Sequence, residues 1–593
     1  MTHRLARRLR NLLLVILVLC PLLSGCQAIY TKSDLTVSDW SRGVQSGQSS
    51  LNDRPAMTLM ADGSTLLCWV ASADEDDAHV LELTQIDGRG ETVSQLPLAI
   101  EVLSASGVRL NRDGQDTYHL TWIDRQYDTR SLFHARITPQ GEVLDIPKML
   151  SSPRTAVKSY SALATANGIE IVWSSEESVA SGMYHVVVDP AGEIAEPSKR
   201  LRHDGYDAQL RADSQGQLHL IWLEQPAFGE RELYYARIDS SDRALRGVDR
   251  LTRYPAPSGV VSRSPEFGIT DEHAYVFWSL ERRGGGMTPP SSESFYVSFP
   301  LSDSRRATQP TQVQISASKE PRYVSTETEY PVTQLADVAT GGFVSSFCYL
   351  PSAAQAQEDE LAVLFCVEMV GRNTQIIQVV LSLWRDGKLD GYQIIGQTRN
   401  TSLKPVLNLD DAGQLHAAWI DTAGFGQYDV YYASTAPAIR ERLNRRTFSD
   451  IGLDVLDALW GVVQAMSFMP LVIMWALFPT MVLAVYIFIH PETTFDYVIN
   501  KVMLVVAILI YTLFKYALRS GWLLDLKLPS SLSFGATNII LLITPMVITC
   551  LAGLVTWLIM RKRDSTVLPS FGVFVAIDAV VTLLVYIPGV LAD

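Results

Sequence analysis

Residues 211–224 read RADSQGQLHLIWLE, and residues 408–421 read NLDDAGQLHAAWID. Each places an Asp/Gly turn before an apolar run that ends in tryptophan, with an acid two residues further on. Gly suits the turn because it accepts positive φ, and Asp because its carboxylate bonds the turn backbone. The run that follows has the length and composition of a buried strand. Residues 111–124, NRDGQDTYHLTWID, are a third close copy. Weaker copies end at Trp69, Trp173 and Trp278, and in LAVLFCVE (361–368) Cys366 takes the tryptophan place. The repeat positions are therefore 69, 122, 173, 222, 278, 366 and 419. Their steps are 49 to 56 residues, except one of 88 that implies an insertion of about 35 between Trp278 and Cys366. A second, aromatic strand repeats as well: SLFHARI (131–137), ELYYARI (232–238) and DVYYAST (429–435). Units of this size, with short strands and regular turns, describe propeller blades, and seven copies predict seven blades.

The pattern resembles the sialidase-like β-propellers, whose blades read roughly D-x-x-G-x-L-H-x-x-W-x-D. The resemblance covers residues 50–435. The strict Asp-box of that group, Ser-x-Asp-x-Gly-x-Thr-Trp, is not reproduced in any blade, so the resemblance speaks for fold more than for chemistry. A ring must close, and the last repeat lacks a fourth strand. Residues 35–40 (LTVSDW) are expected to supply it from the N-terminal side.

The flanks are of another kind. Arg4, Arg7, Arg8 and Arg10 precede an apolar run over 11–23, too short to span a bilayer and fitting a secretory signal peptide. Leu23-Ser24-Gly25-Cys26 resembles the bacterial lipobox, which implies lipidation of Cys26. After residue 465 come four apolar segments, 466–489, 498–518, 538–560 and 571–590, each of membrane-helix length. An exported N-terminus then puts Arg561, Lys562 and Arg563 in a cytoplasmic loop. Arg440, Arg442, Arg445 and Arg446 fall outside the first span, where lipid phosphates are the expected partners. Residues 450–464 have the spacing of an amphipathic interfacial helix.

These parts explain the averages. The 593-residue chain is 47% hydrophobic and only 19% charged, and its mean hydropathy is +0.12. The expected organisation is a signal peptide (1–25), a tether with a ring-closing strand (26–50), an all-β seven-bladed propeller (51–435), a linker with an interfacial helix (436–465) and an α-helical membrane domain of four transmembrane helices (466–593). The expected location is the bacterial plasma membrane, with the propeller on the extracytoplasmic face. A net charge of −14 excludes a nucleic-acid binder. Six cysteines without C-x-x-C spacing leave no zinc motif, and no metal or cofactor is expected.

Several residues are candidates for chemistry. The tryptophans read as packing between blades. Asp124, Glu224, Glu368 and Asp421 each follow the tryptophan position by two. If strand ends align, they form an acidic ring, although turn capping is the simpler role. His119, His219 and His416 share a repeat position in different blades, which favours packing or turn hydrogen bonds over a metal. The resemblance implies an arginine clamp for a carboxylate, and Arg54, Arg109, Arg211 and Arg263 lie on or near first strands. Lys404-Pro405 fills the place of Arg54-Pro55 in the last repeat, and no tyrosine–glutamate pair is assigned. Cys348 and Cys366 stand on neighbouring strands, as a disulfide or as two buried thiols. Asp578 falls inside the last apolar segment, with Lys501 or Arg561–Arg563 as its expected partners and Lys515 too near the outer end. The favoured function is a non-catalytic module that binds a protein or glycan partner. The alternatives are a sialidase-like glycoside hydrolase and a subunit of a transport or envelope-assembly complex.

Overall fold

The computed structural model describes residues 32–591, apart from 73–78, 127–128, 153–154, 167, 176–180, 240, 285–289, 320, 337–343, 346, 355–356, 371–374, 425, 449, 451, 453–468, 491, 518–533 and 561–565. Cys26, the Arg561–Arg563 cluster and most of the interfacial helix lie outside the described residues. The chain divides into two units, one running to Arg445 and one from Arg446 onward.

Each repeat folds as an antiparallel sheet whose three inner strands follow chain order from the inside outward. The innermost strands are Ala56–Leu59, Ser106–Arg112, Val157–Thr165, Tyr206–Ala212, Glu266–Ile269, Cys348–Ala353 and Ser402–Leu409. Each packs against the next, and the seventh packs against the first. This is a closed seven-bladed β-propeller around one axis. The recurring tryptophans lie on second strands and are buried. In five blades the ring stacks on the aromatic directly opposite it on the third strand: Trp122 on Phe133, Trp173 on Tyr184, Trp222 on Tyr234, Trp278 on Phe295 and Trp419 on Tyr431. The expected packing role holds.

The ring closes from the N-terminal side, but not through residues 35–40. Val44–Ser49 pairs antiparallel with Gln427–Ser434 and completes blade seven. Its bulge between Gln45 and Gly47 lets Gly47 pass under Trp69, where any Cβ would lie 2.3 Å from the indole. Residues 35–40 instead pin the neighbouring blade. Trp40 is fully buried in the core of blades six and seven. The Asp39 carboxylate accepts from Thr333 N and Oγ1 at 2.8 and 2.7 Å and from Gln393 Nε2 at 2.7 Å. The insertion contributes Tyr323–Ser325 and Gln334–Ala336, which extend blade six to six strands.

One repeat assignment slips by a residue. In blades two, four and seven a bulge in the inner strand sets two residues opposite the tryptophan. In blade six the same bulge faces Phe365, and Phe365, not Cys366, joins the core shared with blade five. Successive strand residues face opposite ways, so Cys366 and Glu368 lie on the other face of the sheet. Cys348 is paired with Val367 and shares its face, so Cys348 and Cys366 point away from each other. Both are buried free thiols, and no disulfide joins them.

After the last blade, helix α1 (Pro437–Leu443) seats Ile439 and Leu443 in the seam between blades seven and one. Arg440 and Arg442, expected at lipid phosphates, clamp this helix: Arg440 donates to the Ser38 carbonyl at 3.0 Å, and Arg442 pairs with Glu91 at 2.5 Å. Arg445 pairs with Glu441. Asn444 bonds both Trp40 O and Arg42 N, so the N-terminal segment and the exit of the propeller are tied together.

The second unit holds helices α2 (Met469–Ile489), α3 (Val498–Ala517), α4 (Phe534–Met560) and α5 (Val567–Leu591). They coincide with the four apolar segments. Two, over Val472–Ile489 and Val498–Ala517, are long and apolar enough to cross a membrane, while α4 and α5 carry shorter apolar stretches among the described residues. The bundle is apolar outside, with Leu477, Met481, Phe488, Leu509 and Leu554 exposed, and polar at points inside. Asn500 is buried, accepts from Tyr486 and holds the α2–α3 loop through the carbonyls of Glu492 and Thr494.

Asp578 is fully buried, and its partner among the described residues is Lys515, not Lys501. A Thr494–Thr566 bridge sets the starts of α3 and α5 side by side, so the two run in the same direction. A helical side chain leans toward the helix N-terminus, and a lysine is long. Lys515 Nζ therefore drops back to lie 2.7 Å from Asp578 Oδ2 and 2.7 Å from Thr582 Oγ1. Tyr511 and Thr549 donate to the same carboxylate at 2.9 and 3.0 Å.

Two outcomes follow. Gly47→Val forces Trp69 to move and costs about 1–3 kcal/mol, read as a lowered Tm of the full chain. Asp578→Asn leaves the Lys515 charge buried without its counter-ion and costs about 3–5 kcal/mol. Asp578→Leu with Lys515→Met recovers most of that loss, as thermal unfolding in detergent would show.

Candidate functional site

The repeat motif first builds a structural module. In blades two, four and seven the turn aspartate takes two backbone N–H groups on one oxygen and the repeat histidine on the other. For Asp213 the donors are Gln215 N and Gln217 N, both at 2.9 Å, with His219 Nε2 at 3.1 Å. The other ring nitrogen meets Tyr235 OH at 2.7 Å. His416 repeats this with Asp410 and Tyr432, and His119 with Asp113 and His134. Burial raises the Asp213 pKa, but the bonds from His219 and the turn outweigh it, so the carboxyl sits below its usual range. Burial also lowers the His219 pKa. The three histidines hold turns in separate blades, as expected.

The four acids past the tryptophan position do not form a ring. Asp124 caps the turn before blade two, accepting from Leu103 N at 3.1 Å and Ser104 N at 2.6 Å. Glu224 takes Trp222 Nε1 at 2.9 Å and Arg202 at 2.8 Å. Glu368 lies on the other sheet face. Asp421 is buried with Thr398, Ser402 and Trp419 around it, yet no donor reaches hydrogen-bond geometry with either oxygen. Burial outweighs those neighbours and pushes its pKa up to about 7. Among the described residues, no cluster of His, Cys, Asp and Glu is arranged to hold a metal.

The arginines do converge, because inner strands from all blades meet at the axis. Arg54 of blade one reaches across the ring to Glu266 of blade five at 3.4 Å, and to the Pro351 carbonyl of blade six at 2.8 Å. Arg211 of blade four grips the other Glu266 oxygen at 2.9 Å and the Phe267 carbonyl at 2.9 Å. Arg109 of blade two lies over the Tyr160 ring at 5.5 Å. Burial lowers the Arg211 pKa, the Glu266 charge opposes that, and Arg109 and Arg54 add to it. Lys404 is lowered first by burial. Asp53 acts to raise it, and Arg54 and Arg263 act with the burial. Arg54, Arg109, Arg211 and Lys404 thus share one electrostatic neighbourhood. Arg263 stands at its edge, held by both Glu281 oxygens at 2.6 and 2.7 Å. Lys158 of blade three sits over Tyr206 at 3.9 Å.

Backbone strain marks the same level. The inner-strand bulges put Asp207, Leu350 and Lys404 at φ of 50°, 55° and 53°. Left-handed backbone is costly for residues other than glycine, and bulges of this kind re-aim side chains near sites. Tyr349, beside the blade-six bulge, has no motif to announce it. Burial raises its pKa, as do Cys366, Glu281 and Glu368, while Arg263 opposes them. Glu266 was equally hidden. It occupies the inner-strand position that holds Arg109 in blade two, and only the closed ring reveals what it faces. Beyond the Arg54–Glu266–Arg211 bridge, the other end of the inner strands borders a cavity of about 510 Å³, lined in part by Thr58, Arg112, Thr165 and Asn408.

No protein-family model matches the chain, and no curated protein matches it. Solved structures similar to it include the NanB sialidase of Streptococcus pneumoniae, at 12% identity over 66% of this chain and 69% of that one, with a TM-score of 0.33. Others are an α-L-arabinofuranosidase of Fusarium graminearum (10% identity, 64% and 92% coverage, TM-score 0.35) and the polysaccharide lyase Uly1 (10%, 65% and 90%, TM-score 0.30). None of them carries a residue role to this chain.

Asp421 yields a pH-dependent outcome. Its folded pKa is raised from 3.8 to about 7, so the fold favours the neutral form. That contribution is present below the unfolded value and is lost as pH rises through the folded one. Asp421→Asn keeps a neutral side chain, so its Tm advantage over wild type grows from pH 4 to pH 7 and then levels. A wild type that is the more stable form at pH 8 contradicts this.

Proposed function

We propose that the chain is a membrane-anchored, exported β-propeller that binds an anionic ligand, an acidic glycan or an acidic segment of a partner protein, at the cationic mouth of its axis, and does not cleave it. The observation that carries this reading is the meeting of Arg54, Arg109, Arg211 and Lys404 in a chain of net charge −14. Glu266 neutralises part of the cluster, while Arg109 and Lys404 have no carboxylate at ion-pair distance among the described residues. Concentrated cations in a concave, low-dielectric site attract anions and speed their capture. Against catalysis, the four acids past the tryptophan position do not pair with one another among the described residues. The four candidate carboxylates are spent on turns and packing or are isolated, and hydrolysis of a glycosidic bond needs two facing groups.

The membrane reading draws support from the helical unit, whose helices expose many apolar side chains while Asp578 and Lys515 are buried. That pattern suits a lipid solvent. The lipobox-like Cys26 adds a second anchor, consistent with the need for more than one weak signal.

A hydrolase is the second reading, favoured by Tyr349 near Glu281 and Glu368. One experiment separates the two. The full chain in mild detergent is incubated with 4-methylumbelliferyl N-acetylneuraminic acid, with and without excess N-acetylneuraminic acid. Binding without release of the fluorophore, weakened at least about tenfold in Arg109→Gln/Lys404→Gln, is the expected result. Release of the fluorophore, abolished by Tyr349→Phe, establishes the hydrolase. Retention of binding in the double variant removes the funnel from the account.

A further inference from the structure

On the outer rim, away from the axis, the fourth strands of blades three (Ile194–Arg202) and four (Leu245–Pro255) border an open groove of about 320 Å³. Lys199, Arg200, Arg202 and Arg243 line it, together with Leu201 and Val248. Two of the cations have carboxylate partners: Arg202 pairs with Glu224 at 2.8 Å and Arg243 with Glu196 at 2.6 Å. The other two bond only neutral groups. Lys199 donates to the Asp242 carbonyl. Arg200 donates to Tyr184 OH at 3.1 and 2.9 Å and meets His203 Nδ1 at 3.2 Å. Among the described residues, no carboxylate lies at ion-pair distance from Lys199 or Arg200.

Arg243 supplies two further observations. Its backbone is left-handed, with φ of 52°, a conformation that side-chain-bearing residues adopt at a cost. Its Nη1 is buried and has no hydrogen-bond acceptor among the described residues, and a buried charged donor is costly to leave unmade. The groove is also rigid where it is most cationic. Arg200 lies 5.3 Å above the Tyr184 ring, which stacks on buried Trp173 at 4.3 Å.

We propose that this groove is a second binding site, separate from the funnel, for a phosphate group. Planar guanidinium forks from the blade-three strand and from the turn before the blade-four strand, with an ammonium beside them, suit an oxyanion with acceptors on several sides, and arginine and lysine serve phosphate in these complementary ways. The phosphate comes from a phospholipid headgroup or from a soluble phosphate compound.

The test titrates inorganic phosphate into the full chain in neutral detergent at constant ionic strength and follows heat or Tm. Because the funnel is also cationic, the wild type shows two classes of site. Lys199→Gln/Arg200→Gln, at exposed positions, abolishes one class or weakens it at least about tenfold. Arg109→Gln/Lys404→Gln removes the other and leaves the rim class intact. An unchanged titration in the rim variant overturns the proposal, whatever the funnel does. In nanodiscs, phosphatidylglycerol that weakens rim binding of phosphate, relative to phosphatidylcholine alone, identifies the lipid headgroup as occupant. Equal binding in the two identifies soluble phosphate. A phosphatidylglycerol effect that persists in Lys199→Gln/Arg200→Gln counts against the site.

Discussion

The stacked pair between second and third strands, present in five blades, is the contact on which the propeller depends. A tryptophan lies over the aromatic directly opposite it on the third strand, buried against the next sheet. Such pairs contribute about 0.5–1.5 kcal/mol each beyond the area they bury, but their geometric effect is larger. A flat slab of fixed thickness between successive sheets sets the angle from blade to blade. That angle decides whether the ring closes at seven and how near the inner strands come. The Arg54–Glu266 contact across the axis exists only because the inner strands converge so closely.

The same geometry explains what was legible in the sequence. The blades announce themselves because most repeats rebuild the slab, so tryptophan, turn and alternating strand recur together. Features outside that obligation left no repeat signal. The closing strand, Val44–Ser49, packs by letting Gly47 slide under Trp69, and a small residue in a polar run does not stand out. Phe365 and Cys366 are adjacent and apolar, and only the bulge opposite Phe365 decides which faces blade five. Arg54, Arg109 and Arg211 could be listed from their place on first strands, but not that Glu266 would join them, since that contact spans four blades. Lys515 lies nearer the C-terminal end of its helix than Asp578 does, and only the reach of the lysine side chain joins them.

Glu266 also settles how so many cations share one place. Arginines brought together without a counter-charge repel, and burial deepens that cost. A single carboxylate held by Arg54 on one oxygen and Arg211 on the other relieves two of them. Arg109 is steadied by the Tyr160 ring and Arg263 by Glu281. Lys404 is the least compensated member and the one on strained backbone. The mouth is therefore graded, with its charge excess toward blades two and seven and its neutral bridge toward blades four and five.

The helical unit inverts these rules, and the inversion bears on transport. In the propeller, apolar groups are buried and charges meet water. In the bundle, leucines and phenylalanines face outward while Asp578 and Lys515 are enclosed. A carboxylate that serves as a relay needs an acceptor or donor waiting on each side. Asp578 instead takes Lys515, Tyr511 and Thr549 at once, and Lys515 is held further by Thr582. Asn500, also buried, is committed to its own loop, Thr556 and Ser570 donate to carbonyls four residues back, and Ala507, Phe571 and Phe574 fill the core among these helices. A closed, satisfied knot joined to the rest of the bundle only through apolar packing fixes the register of α3, α4 and α5. Held by donors at both oxygens, Asp578 has the surroundings of a structural ion pair.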